Sequence, residues 1–224
     1  DNLSYDSVRN GDGVATSLVL DENGKAAAKY TDDGGHDLIG AYDVVPVLEA
    51  FLDEHPDFFN QGARGVISVA GVGGLFGYEV DESADDYEAN RQTVQEIAAA
   101  LKEEGWTFAS TGYNYQYLGT LSYDQLDEEL GKWQEVSGAL LGDCDTLLYP
   151  YGSEVDYTTV KSTLLTVDGF RYLIGLWAEG DHLEVNDQYL RQTRKNITGM
   201  LLTTSPDCVS SYINVSDILD PARN

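Results

Sequence analysis

From Tyr42 onward the chain alternates short apolar runs with amphipathic ones, and this rhythm is its strongest constraint. In DVVPVLEAFLDEHP, residues 43–56, Val44, Val45, Leu48, Phe51 and Leu52 recur at helical spacing, and Pro56 marks the end. Val66 to Ala70 is a continuous apolar strand running into GVGG. DDYEANRQTVQEIAAALKEEG, residues 85–105, predicts a long helix with Val94, Ile97, Ala98 and Leu101 inward and Gly105 as its stop. Trp106–Ser110 reads as the next strand. SYDQLDEELGKWQEVSGALLG, residues 122–142, reads as a helix opened by a Ser122–Gln125 capping box, with Leu126, Leu130, Trp133, Val136 and Leu140 as its buried stripe. DTLLYPYG (145–152) is a strand stopping at Pro150, residues 155–170 a helix, RYLIGLW (171–177) a strand, and DQYLRQTRKN (187–196) a helix. Trp133 and Trp177 are expected in the core.

Strand–helix alternation with short connections implies parallel strands covered by helices. An irregular β/α barrel and an open doubly wound sheet both satisfy it; about seven βα steps are slightly few for an eight-fold barrel. The N-terminal part, residues 1–41, is a decorated lead-in to the main body at 42–224, within one domain. It carries a hairpin: Ser17–Leu20, a turn at Asn23-Gly24, then Ala26–Tyr30.

Composition removes several classes of function. The net charge is −26, from 39 acidic and 13 basic residues. Nucleic acid is not expected as a partner, because phosphate binding needs a basic face. No apolar run approaches the ~18 residues of a membrane helix. The acidic stretches Asp21–Gly24 and Thr31–Asp37 lack EF-hand spacing. Arg191, Arg194 and Lys195 form a basic cluster, read as a salt-bridged helix face rather than an anion site. Cys144 and Cys208 make no metal-binding pair; a disulfide and two buried thiols are both compatible with their positions. Asn196 and Asn214 match the glycosylation pattern. The chain opens on Asp1, as expected of a processed chain or a fragment. No GxGxxG fingerprint follows a strand, no GxSxG elbow occurs, and 39 carboxylates single out no pair for glycoside cleavage.

Three stretches converge on a family. ALKEEGW entering FAS, a strand ending in YPYG, and the terminal DPAR together resemble the polysaccharide deacetylases, the NodB homology family of carbohydrate esterases. More narrowly, the chain looks like a cell-surface branch of that family in Gram-positive bacteria, and the resemblance runs from Asp1 to Arg223. It implies an irregular barrel of about seven parallel strands, carrying the hairpin as a decoration, and a location outside the cell or on its envelope. It also implies metal-assisted amide hydrolysis. A zinc ion on one Asp and two His polarises an acetamide and activates water. A second Asp is the base, a backbone amide near Pro-Tyr holds the oxyanion, and a distant His is the acid.

Carried over, the resemblance puts the base on Asp1 and sets Asn2 where the metal Asp belongs. Thr111 and Tyr115 stand at the two His positions. Tyr149-Pro150-Tyr151-Gly152 keeps the oxyanion motif, with the Tyr151 backbone amide as donor, while Leu202–Ser205 holds no acid His. All three metal ligands are therefore replaced, so the expectation is no metal cofactor and a vestigial base. The alternative is a zinc site around Asp32, Asp33 and His36 in TDDGGH, within an active deacetylase of N-acetylated glycans. Tyr113, Tyr115 and Tyr117 alternate, and in extended chain alternate residues share a face. With Tyr149, Asp1, Asn2 and Thr111 they are read as a metal-free cleft for a polysaccharide or cell-wall glycan.

Overall fold

In the computed structural model, the described residues are 3–5, 13–176 and 181–219. Asp1, Asn2 and Trp177 lie outside them. The elements in chain order are β1 (Ser17–Leu20), β2 (Ala26–Thr31), β3 (Asp37–Gly40), α1 (Val44–Glu54), β4 (Val66–Val69), α2 (Tyr87–Glu104) and β5 (Thr107–Ser110). Then come α3 (Tyr123–Trp133), β6 (Thr146–Leu148), α4 (Val160–Val167), β7 (Tyr172–Leu176), β8 (Leu183–Val185), β9 (Leu190–Arg194) and α5 (Gly199–Thr204). A π-helical turn, Gln134–Gly138, carries α3 on into Ala139–Leu141.

The strands make two sheets. β1, β2 and β3 pair antiparallel. The β1–β2 turn forms at Asn23-Gly24, where Gly24 takes φ +76° and Asp21 accepts from the Asn23 and Lys25 amides. The second sheet has the order β4-β5-β6-β7-β9-β8, parallel except for β8 against β9. Mixed β/α architecture with a parallel sheet is therefore present. A closed barrel of seven parallel strands is not: among the described residues five strands run parallel, and the order ends at β4 and β8. Beside β4, the Leu3 amide donates to the Ser68 carbonyl at 2.9 Å. Tyr5 donates its hydroxyl to Asp43, the residue that caps α1.

Residues 187–196 do not form the expected helix. Residues 190–194 are β9, paired with β7 over five registers from Tyr172↔Leu190 to Leu176↔Arg194. The segment has no apolar pair at i, i+3 or i+4 to bury, so the ladder with β7 wins. β3 went unread because DLIG is almost wholly exposed and shows no apolar period. In α1, Val45 and Leu52 are buried, but Val44 and Phe51 face outward. Phe51 packs instead on His55 and Phe58. Both cysteines are free thiols, so the disulfide alternative is not formed.

Two apolar clusters pack against the parallel sheet. In one, Ile67, Val69 and Phe108 meet Val94, Ile97 and Leu101 of α2, together with Leu18 and Ala28 from the smaller sheet. In the other, Leu147, Tyr149 and Leu173 meet Leu126 and Leu130 of α3 and Leu164 and Leu165 of α4. Trp133 sits in the first cluster, 1 % exposed, and its indole N–H donates to the Val69 carbonyl at 2.9 Å. Gly105 ends α2 at φ +102°, and the Trp106 amide returns to the Leu101 carbonyl, a Schellman closure that aims the chain into β5. The Ser122–Gln125 capping box is made in both directions and starts α3 directly after the loop that follows β5.

Candidate functional site

Two loops meet at the C-terminal ends of β5 and β6. The first, residues 111–121, leaves β5; the second, residues 149–155, leaves β6. The Gly119 amide donates to the Ser153 carbonyl at 2.9 Å and lies 3.2 Å from the Ser153 hydroxyl. A Cβ at Gly119 would stand 2.2 Å from the Glu154 carbonyl oxygen, so close docking of the two loops requires glycine there.

Aromatic rings complete the junction. Tyr117 stacks on Tyr151 with centroids 4.4 Å apart and planes 19° apart. Tyr115 meets Tyr151 edge-on at 5.2 Å and 73°. Tyr115 and Tyr151 both adopt left-handed backbone, φ +55° and +56°. For tyrosine that conformation costs on the order of 1–2 kcal/mol and persists only where surrounding contacts impose it. Tyr117 and Tyr151 remain 55 % and 54 % exposed, so both side chains are open to solvent.

Tyr113 does not join them. Gly112 at φ +74° and Tyr115 at φ +55° break the extended run, and with it the alternation that would put three tyrosines on one face. The Tyr113 carbonyl accepts from the Gly71 and Val72 amides at 2.9 and 2.8 Å. Its ring lies against Gly71, where a Cβ would sit 2.1 Å from the ring, and the Lys132 ammonium stands 4.1 Å from the ring centroid. Tyr113 thus borders a separate cavity of about 580 Å³ between α2 and α3. Tyr149 also turns away. It is fully buried in the second cluster, 2.9 Å hydroxyl to hydroxyl from Tyr157, and burial pushes its phenol well above the ordinary value. Only its backbone reaches the junction, where its carbonyl accepts from Arg194 at 3.3 Å.

The basic cluster lies on and just after β9 rather than on a helix. Arg191 pairs with Glu154 at 2.6 Å and stands 4.2 Å from the Tyr157 ring centroid; Lys195 pairs with Asp181 at 3.0 Å. Arg194 donates to the Ile174 and Gly175 carbonyls at 3.1 and 3.0 Å, tying the ends of β6 and β7 together. Burial holds its guanidinium below the usual arginine value.

The zinc chemistry implied by the resemblance does not fit the residues at this junction. Thr111 is 1 % exposed, and its hydroxyl has no hydrogen-bond partner among the described residues. Neither it nor the Tyr115 phenol is a usual zinc ligand at neutral pH. The three histidines lie elsewhere: His36 in the β2–β3 turn, His55 after α1, His182 before β8. Asp32, Asp33 and His36 do share one turn, but it belongs to the three-stranded sheet. Asp32 Oδ1 accepts from the Gly34 and His36 amides at 2.9 and 2.8 Å, and the His36 ring nitrogen lies 3.2 Å away. These bonds, the His36 amide foremost, hold the Asp32 carboxyl below its usual value. Among the described residues no group of three His, Cys, Asp or Glu side chains is arranged to hold a metal ion.

Glu129, absent from the sequence reading, accepts three hydrogen bonds from Asn114 and Gln116 beneath the tyrosines. Its signal was present in the stripe: residue 129 falls between Leu126 and Leu130, on the inward face of α3.

No protein-family model matches the chain, and no curated protein matches it by sequence. Several solved structures are partly similar. One is a protein of Mycobacterium smegmatis assigned as a polysaccharide deacetylase, 18 % identical, TM-score 0.44, covering 70 % of this chain and 46 % of that one. Another is Puue allantoinase, 12 % identical, TM-score 0.37, over 67 % of this chain and 42 % of that one. A third is the 4-alpha-glucanotransferase of Thermococcus litoralis, 11 % identical, TM-score 0.45, over 71 % and 25 %. The chain spans less than half the length of each.

Proposed function

We propose that this chain is a polysaccharide deacetylase-like module that works without zinc catalysis and binds a cell-envelope glycan, outside the cell, through the tyrosines at the ends of β5 and β6. The observation that carries the reading is the exposed Tyr117–Tyr151 stack, held on two interlocked loops. Tyrosine offers a flat apolar face and a polar tip, the chemistry that suits a sugar ring. Rings already fixed in place lose little conformational entropy on binding. Thr111 and Tyr115, at the positions where the resemblance puts two histidines, support a site without metal. On this reading Asp1 is a vestigial base and the Tyr151 amide a remnant of the oxyanion hole.

The test pairs a zinc titration with calorimetric binding to a β-1,4-linked N-acetylglucosamine hexamer. The expected result is no stoichiometric zinc uptake at micromolar metal, binding of the hexamer by the wild type, and a loss of ten-fold or more in Tyr151→Ala. Stoichiometric zinc uptake abolished by Asp33→Asn or His36→Ala would overturn the reading in favour of an active deacetylase.

A further inference from the structure

Among the described residues, the carboxylate that holds the tyrosine loop makes no salt bridge. Glu129 is 3 % exposed on α3, in the same stripe as Leu126, Leu130 and Trp133. Among the described residues no lysine or arginine pairs with it. Its charge is instead met by neutral donors from one short segment. The Asn114 amide donates at 2.6 Å, the Asn114 side chain at 2.7 Å and the Gln116 side chain at 2.9 Å. Those donors bracket Tyr115, the residue in left-handed backbone. Gly112 completes the fit, since a Cβ there would lie 2.9 Å from Glu129 Oε1.

An unpaired buried charge is a costly way to anchor a loop for stability alone, because its desolvation is not recovered from a counter-ion. What it does supply is geometry. Charge-assisted hydrogen bonds to both sides of Tyr115 leave the loop one register, and that register sets Tyr115 edge-on to Tyr151 and Tyr117 flat upon it.

The geometry points to Glu129 as the positioning residue of the tyrosine site: its buried carboxylate fixes Asn114–Gln116, and through them the ring arrangement that would face a glycan. This role rests on the proposed glycan reading, but its structural half can be read without any ligand. The experiment uses the whole chain with Glu129→Gln, which keeps the shape and removes the charge. Asp127→Asn removes an exposed carboxylate from the same helix and serves as control. Amide hydrogen exchange over residues 113–117 and affinity for the N-acetylglucosamine hexamer are measured on each.

Glu129→Gln is expected to exchange ten-fold or more faster at Asn114 and to bind the hexamer at least ten-fold more weakly, with far-ultraviolet circular dichroism unchanged. Asp127→Asn should move neither. Should Glu129→Gln fail to fold, Asn114→Ala takes its place; it removes one exposed side-chain donor and should weaken the hexamer several-fold. Unchanged exchange in Glu129→Gln overturns the proposal. So does faster exchange with unchanged affinity. If the wild type ignores the hexamer while Glu129→Gln loosens the loop, positioning stands and the glycan reading falls.

Discussion

Tyr117 and Tyr151 come from loops that follow different strands, yet their rings stack 4.4 Å apart with both side chains open to solvent. The contact joins the loop after β5 to the turn after β6 at the end of the parallel sheet. Each residue should therefore matter to binding more than to folding.

Tyr151→Gly separates the two effects. Glycine relieves left-handed strain of on the order of 1–2 kcal/mol. It also removes aromatic pairs that contribute about 0.5–1.5 kcal/mol each. The terms nearly cancel, so urea unfolding should find stability within about 1 kcal/mol of wild type. Hexamer binding should be lost. A variant that binds as well as wild type would place the sugar elsewhere.

Trp133 makes the opposite prediction. It is buried in the core and donates to the Val69 carbonyl inside the sheet. Trp133→Ala should cost about 3–5 kcal/mol in chemical denaturation. A loss below about 1 kcal/mol would mean that α3 does not pack on β4 as described.

Asp168 caps the C-terminal end of α4, where the helix dipole disfavours negative charge. Burial, and then Asp127, raise its pKa above 3.8, and its Oδ2 is buried without a partner among the described residues. Because the folded form holds the proton more tightly, stability falls as pH rises from the unfolded pKa through the folded one. Asp168→Asn should therefore raise Tm at pH 7, and the gain should vanish below 3.8, where the carboxyl is protonated in both states. A variant less stable than wild type at pH 7 would contradict this.

Burial pushes the Cys144 thiol up to about 11, and its S–H points at the Phe108 and Thr146 carbonyls. At pH 8 about one molecule in a thousand would carry the thiolate, the reactive form. Iodoacetamide should leave Cys144 unmodified in the native protein and label it after unfolding, as read by peptide mass. Rapid native labelling of Cys144 would show that the β5–β6 region opens.

The sequence by itself determined the elements whose local physics and burial agree. Val94, Ile97, Ala98 and Leu101 at helical spacing, the Ser122–Gln125 box, and Asn23-Gly24 each lead to the structure they form, because periodicity, capping and turn chemistry act over a few residues. Tertiary structure decided the rest. β9 is a strand because β7 offers it a ladder, although its own residues carry no clear period. The sheet ends on antiparallel β8, whereas the alternation had suggested only parallel strands. The three tyrosines part company because left-handed Gly112 and Tyr115 turn a loop that spacing alone reads as extended, while Gly71 receives Tyr113, Glu129 holds Asn114 and Tyr151 meets Tyr115. Such contacts join residues far apart in the chain, as Gly71 is from Tyr113, and only packing determines which of them meet.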